Sequence, residues 1–117
     1  MDRPFKRGDR FETTRDVEVT ALTHWPAPTT DGFDARLPAG VVVVALKDAE
    51  DEWQKLPGLP VAPEDYDEWE RRLPSGSDRA LREEPRGYDG FHLSFSVEDI
   101  GETLRRLPGK AAPPFNW

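Results

Sequence analysis

The sequence predicts a mainly β (α+β) fold: a small, strongly bent antiparallel barrel with a helical insert before its last strand and a short C-terminal helix. Three observations carry this. Two segments, "DVEVTALTHW" and "FHLSFSV", alternate apolar and polar residues with period two, the signature of a half-buried strand. A third, "LPAGVVVVALKD", places four consecutive valines in a chain that is 33% charged and has a mean hydropathy of -0.75. Finally, one strong helical segment interrupts the strands instead of alternating with them, which does not suit a doubly wound sheet. Short strands of this kind avoid open edges by closing into a barrel.

Taken in order, "KRGDRFETT" places a Gly8-Asp9 turn before a strand at residues 10–13. In the next strand Val17, Val19, Ala21, Thr23 and Trp25 occupy one face. "PAPTTDGFD" reads as a loop, because Pro26 and Pro28 cannot donate to a ladder and Asp31-Gly32 is a turn dipeptide. The valine run is β-branched at its centre and too short for an independent helix, so a strand is favoured. Its two faces, Val41, Val43, Ala45 and Val42, Val44, Leu46, are both apolar and should both be covered.

"DEWQKLP" reads as a short strand carrying Trp53. "GLPVAPEDYDEWERRLP" reads as a helix from about Pro63 to Leu73: proline suits the first helical position, Glu64 and Asp65 meet the positive end of the dipole, and Arg71 and Arg72 meet the negative end. Its stripe of Tyr66, Trp69 and Leu73 is the expected cover for Val42, Val44 and Leu46. "SGSDRALREEPRGYDG" is a charged connection with a helical turn at Asp78 to Glu83. After the strand at 91–97, Ser96 and Asp99 resemble a capping box, and Ile100, Leu104 and Leu107 share one helical face. Pro108-Gly109 stops that helix.

At 117 residues the chain reads as one domain, residues 1–108, with the insert at about 57–89 and a tail at 109–117. There are no cysteines, which excludes disulfides, thiolate zinc sites and thiol catalysis. "MDRPFKRGDR" lacks the apolar region of a signal peptide. The longest apolar run, Val41 to Leu46, is far short of the roughly 20 residues of a membrane span. The expected location is the cytoplasm, with no membrane contact.

"GDRF", "VEVTAL", "LPAGVVVVALKD" and the closing "HLSFSVEDI" together resemble a bacterial SH3-like barrel. The chain is also similar to small uncharacterised bacterial proteins that join such a barrel to a charged helical insert. The resemblance spans roughly residues 8–56 and 90–100, and its motifs are weakly specific.

Charge is local. Residues 48–70 hold nine acids against one base, Lys55, a net of -8, whereas the whole chain carries -7. Such a lobe repels phosphate backbones and attracts basic surfaces; its ordinary alternative is a solvated face that aids solubility. The candidate partner-binding residues are Asp48, Glu50, Asp51 and Glu52, with Trp25, Trp53 and Tyr88 as aromatics able to recognise Pro-rich or basic segments. For any single Trp, a place in the core is favoured over a binding role. Two function classes follow. The first is a non-catalytic interaction or small regulatory, inhibitory (immunity-type) protein that presents the acidic lobe to a basic protein partner. The alternative is a nucleic-acid-associated barrel using "DRPFKRGDR", whose net charge of +2 is low for phosphate affinity.

An enzyme has little support. His24 and His92 are the only histidines. His92 and Ser94 would share a strand face, but no orienting acid or nucleophile elbow accompanies them, so a solvent face is the better reading. A metal site at His24 and His92 with Asp89 or Glu18 lacks ligand spacing. No glycine-rich segment continues into a phosphate loop. No cofactor and no catalytic residue is expected, and the oligomeric state is open.

Overall fold

The computed structural model describes residues 5–24, 28–49, 59–65, 67, 69, 71, 90–95 and 99–113. Seven strands build one antiparallel sheet: β1 (Asp9–Thr13), β2 (Val17–His24), β3 (Pro28–Leu37), β4 (Val42–Ala45), β5 (Leu59–Pro63), β6 (Gly90–Phe95) and β7 (Leu104–Lys110). Their spatial order is β3-β2-β6-β5-β4-β1-β7. Among the described residues no ladder joins β3 to β7, so the sheet is open where a closed barrel was expected.

All seven strands nevertheless feed one core. Phe11, Val19, Ala21, Ala35, Leu37, Val43, Ala45, Leu59, Val61, Leu93, Phe95 and Leu104 form a single buried cluster, completed by Phe5, Val41, Ala49 and Trp69. One cluster touching both edge strands requires the sheet to wrap around it, which strand twist permits.

The four valines are explained by their place in the middle of this sheet. β4 lies between β1 and β5, with Val43 opposite Phe11 on one side and Pro63 on the other. Val43 and Ala45 enter the main cluster, and Val44 and Leu46, from the other face, are also fully buried. Both faces are covered, as the run predicts, with Val42 at the start of the strand half-buried. The cover differs from expectation: Trp69 joins the cluster that holds Val41, Val43 and Ala45. Tyr66 and Leu73 lie outside the described residues.

Four other expectations are corrected. Residues 28–37, expected to begin as a loop, form a ten-residue strand. Pro28 stands at its first position, where a missing donor costs least; Gly32 lies within the ladder opposite Leu22, and Asp31 falls in the irregular stretch between that pair and His24–Pro28. Residues 59–63, assigned to the insert, are β5 and buried throughout, so Pro63 closes a strand and does not open a helix. Burial of Leu59, Val61 and Ala62 offsets the donors that Pro60 and Pro63 lack. Helical backbone is found beyond it at Asp67, Trp69 and Arg71. The C-terminal helix is replaced by one turn, in which the Asp99 carbonyl accepts from the Glu102 and Thr103 N–H groups. After it, Leu104–Lys110 pairs with β1 as β7. The expected strand at Trp53 and the turn at 78–83 lie outside the described residues.

The N-terminal turn and the chain beyond β7 are joined. Ala111 N–H donates to the Gly8 carbonyl at 3.0 Å. Gly8 has φ +91°, and a Cβ there would meet the Ala111 oxygen at 3.0 Å, so only glycine fits without displacement. Thr13 closes the opposite end of β1. Its hydroxyl donates to the Pro38 carbonyl at 2.8 Å and accepts from Val41 N–H at 3.0 Å, at 2% exposure. Thr13→Val leaves both groups to find other partners, and a loss of about 1–2 kcal/mol in urea unfolding is expected.

Candidate functional site

Asp48 follows β4 and is exposed; its Oδ1 accepts from Arg7 N–H at 2.7 Å, while Arg7 Nη1 donates to the Leu46 carbonyl at 2.6 Å. The first acid of the lobe is thereby fixed to the N-terminal turn. The other sequence-designated residues, Glu50, Asp51, Glu52, Trp53, Trp25 and Tyr88, lie outside the described residues. Of the remaining acids in 48–70, Glu64, Asp65 and Asp67 are described, and all three are exposed. Glu64 pairs with Arg10 of β1 at 3.3 Å, which brings the segment after β5 against the β1 surface. Asp65 serves the helical turn through its carbonyl, which accepts from Trp69 N–H at 2.8 Å.

The basic residues are gathered by pairing that joins distant segments. β1 and its preceding turn contribute Lys6, Arg7 and Arg10; β7 adds Arg105, Arg106 and Lys110. Sequence reading found the first group and missed the second, because "TLRRLPGK" resembled a helix end. At the centre lies Asp9, whose side chain is 11% exposed. Asp9 Oδ2 accepts from Arg106 Nη1 at 2.6 Å and from Lys6 N–H at 2.9 Å, and Oδ1 pairs with Lys110. Burial pushes the Asp9 carboxyl up, but the Lys110 ammonium, the Lys6 N–H and the Arg106 guanidinium outweigh it and hold the group below the usual carboxylate range. Arg106 also lies 5.1 Å over the Phe11 ring, and Arg105 pairs with Glu12 at 2.5 Å. Four of these cations, Arg10, Arg105, Arg106 and Lys110, face three carboxylates of the same chain, Glu64, Glu12 and Asp9, which offset most of their charge toward phosphate.

The histidine expectations change as well. His92 is fully buried, not on a solvent face, and Ser94 is half-buried. The register sets His92 opposite Leu22, and His24 opposite Gly90, so positions 24 and 92 are diagonal neighbours on adjacent strands. Glu18 lies four residues along β2 from Leu22, out of reach of that row. Among the described residues no group of three or more His, Cys, Asp or Glu side chains could hold a metal ion, and no helix is long and apolar enough to cross a membrane.

A shallow hollow lined by Glu18, Asp34, Ala35 and Arg36 lies on the β2–β3 surface and is open to solvent. No protein family, curated protein or solved structure matches the chain.

Proposed function

We propose that this chain is a non-catalytic interaction protein, a small regulatory or inhibitory factor of the immunity type, that offers the 48–70 segment to a basic surface on a partner protein. The observation that carries this reading is the segment's charge of -8 together with the exposure of Asp48, Glu64, Asp65 and Asp67. A concentrated negative surface on a folded scaffold steers basic partners and excludes acidic ones. The nucleic-acid alternative is weakened by the ion pairs that occupy Arg10, Arg105, Arg106 and Lys110. The SH3-like resemblance belongs to the same proposal: a wrapped antiparallel sheet around one core supports it, and the open edges set this chain apart from a closed barrel.

The test is capture from the lysate of the source organism, comparing the native chain with a variant in which Asp48, Glu50, Asp51 and Glu52 become Asn or Gln. Asn at 48 keeps an oxygen acceptor for Arg7 N–H while removing the charge. A protein held by the native chain and lost by the variant is the expected result. Equal capture by both would move the interface away from the lobe.

A further inference from the structure

We infer that the outer edge of β3 docks a second copy of this chain, in an antiparallel β3–β3 pairing whose two-fold axis passes through Ala35. The proposal is independent of the acidic lobe and starts from the contrast between the two edges of the sheet.

The β7 edge is built against strand addition. Its exposed residues include Arg105, Arg106 and Lys110, and Pro108-Gly109 interrupt the ladder, since Arg10 pairs with Leu107 whereas Asp9 pairs with Lys110. Gly109 adopts φ +83° there, and the Pro108 carbonyl is taken by Arg10 Nη1 at 3.2 Å. Cations, proline and a bulge are the devices by which proteins protect an edge. Over residues 32–37 β3 has neither proline nor bulge, and its one cation there, Arg36, stands two residues from Asp34 on the same exposed face. It runs in unbroken register for six consecutive pairs, from Val17 opposite Leu37 to Leu22 opposite Gly32. Among the described residues no strand pairs with its other side.

Charge then selects the occupant and the register. Asp34 and Arg36 are exposed on one face, while Ala35 and Leu37 between and beside them are buried on the other. A two-fold axis normal to the sheet keeps the buried faces of both copies on the same side only when it passes through a residue. Centred on Asp34 it sets Asp34 opposite Asp34, and centred on Arg36 it sets Arg36 opposite Arg36; both are repulsive. Centred on Ala35, Asp34 of each copy stands opposite Arg36 of the other, twice over by symmetry. Ala35 then stands opposite Ala35, and the faces that bury Ala35 and Leu37 run on from one copy to the next. Asp34 already accepts from Thr20 Oγ1 at 3.0 Å, and a carboxylate has room for further donors. The pairing covers only Phe33 to Leu37, and each chain carries -7, so the dimer is weak and reversible.

Sedimentation velocity over a wide concentration range, at physiological ionic strength, tests this on the full chain. The native protein is expected to show concentration-dependent dimerisation. Arg36→Asp and Asp34→Arg should each raise the dissociation constant roughly tenfold or more, since two attractive pairs become repulsive. The double change D34R/R36D restores opposite charges and should return the native behaviour, a rescue that damage to the fold would not give. A native chain that stays monomeric throughout, single variants that associate as the native does, or a double variant that fails to recover would each overturn the proposal. If a single variant fails to fold, hydrogen exchange on the native chain decides. Amides within residues 33–37 should gain protection as concentration rises while those of 104–107 do not, and unchanged protection at 33–37 would overturn it.

Discussion

Trp69→Ala lowers the unfolding free energy by about 3–5 kcal/mol, the range for removing a large aromatic from a packed core. Trp69 is 5% exposed and belongs to the main cluster with Phe5, Val43 and Leu93. It is carried on a helical turn whose Trp69 N–H reaches the Asp65 carbonyl at 2.8 Å. No described residue of that turn other than Trp69 is buried; Asp67 and Arg71 are exposed. The indole is thus the anchor that holds this turn of the acidic segment against the sheet. Urea unfolding measures the loss as a lower midpoint with a similar slope. Arg71→Ala, two residues away and exposed, serves as the control and should cost no more than about 0.5 kcal/mol. A Trp69→Ala loss as small as the control's would mean that the turn does not pack on the core.

Asp9→Ala costs about 2–3 kcal/mol at neutral pH. The carboxylate receives two charged donors and one backbone N–H, each worth about 1.5–3 kcal/mol when an ion is involved. That sum is discounted because Arg106 and Lys110 are 46% and 58% exposed and water takes up much of their charge. The lowered pKa fixes the sign of the pH dependence. A carboxyl that is more acidic when folded stabilises the protein above its unfolded pKa of about 3.9, and that contribution is lost as pH falls below this value through the lower folded one. Asp9→Asn keeps the acceptor for Lys6 N–H and removes the charge. Thermal melts of the native chain and Asp9→Asn should differ at neutral pH and converge in acid. A constant gap across that range would show that the charge of Asp9 contributes nothing.

These residues also show what the sequence could reveal and what it could not. The strands at 17–24, 42–45 and 90–95 were legible because a period of two, or an unbroken β-branched run, has few other readings. β3 was obscured by Pro28 and Asp31-Gly32, which mark turns in most settings; pairing with β2 overrode that local preference. β5 was hidden by its two prolines. β7 was mistaken for a helix because Ile100, Leu104 and Leu107 fit a helical face as well as they fit a turn followed by a strand. The alternation that marked β6 placed His92 correctly on the face opposite Leu93, yet periodicity alone cannot tell whether that face is wet. In this sheet the central strands are covered on both sides.

The site was legible only as charge. Nine acids within residues 48–70 stand out in one dimension, and Asp48 is exposed as its position suggested. The Asp9 cluster was not legible, since its cations lie 97 and 101 residues away along the chain. Only the β1–β7 pairing brings them together. Of the basic N-terminal stretch, Arg10 is paired with Glu64 and Asp9 with Arg106 and Lys110, which favours the proposal that the acidic segment is the working surface.

The most direct measurement of that claim is the affinity of the captured partner for the native chain as a function of salt. Screening shortens from about 30 Å at 0.01 M to about 8 Å at 0.15 M, so binding through an exposed acidic surface should weaken steeply over that interval. The variant neutralised at Asp48, Glu50, Asp51 and Glu52 should show a shallower dependence. A native affinity that does not change with salt would contradict the account and place the working surface elsewhere on the sheet.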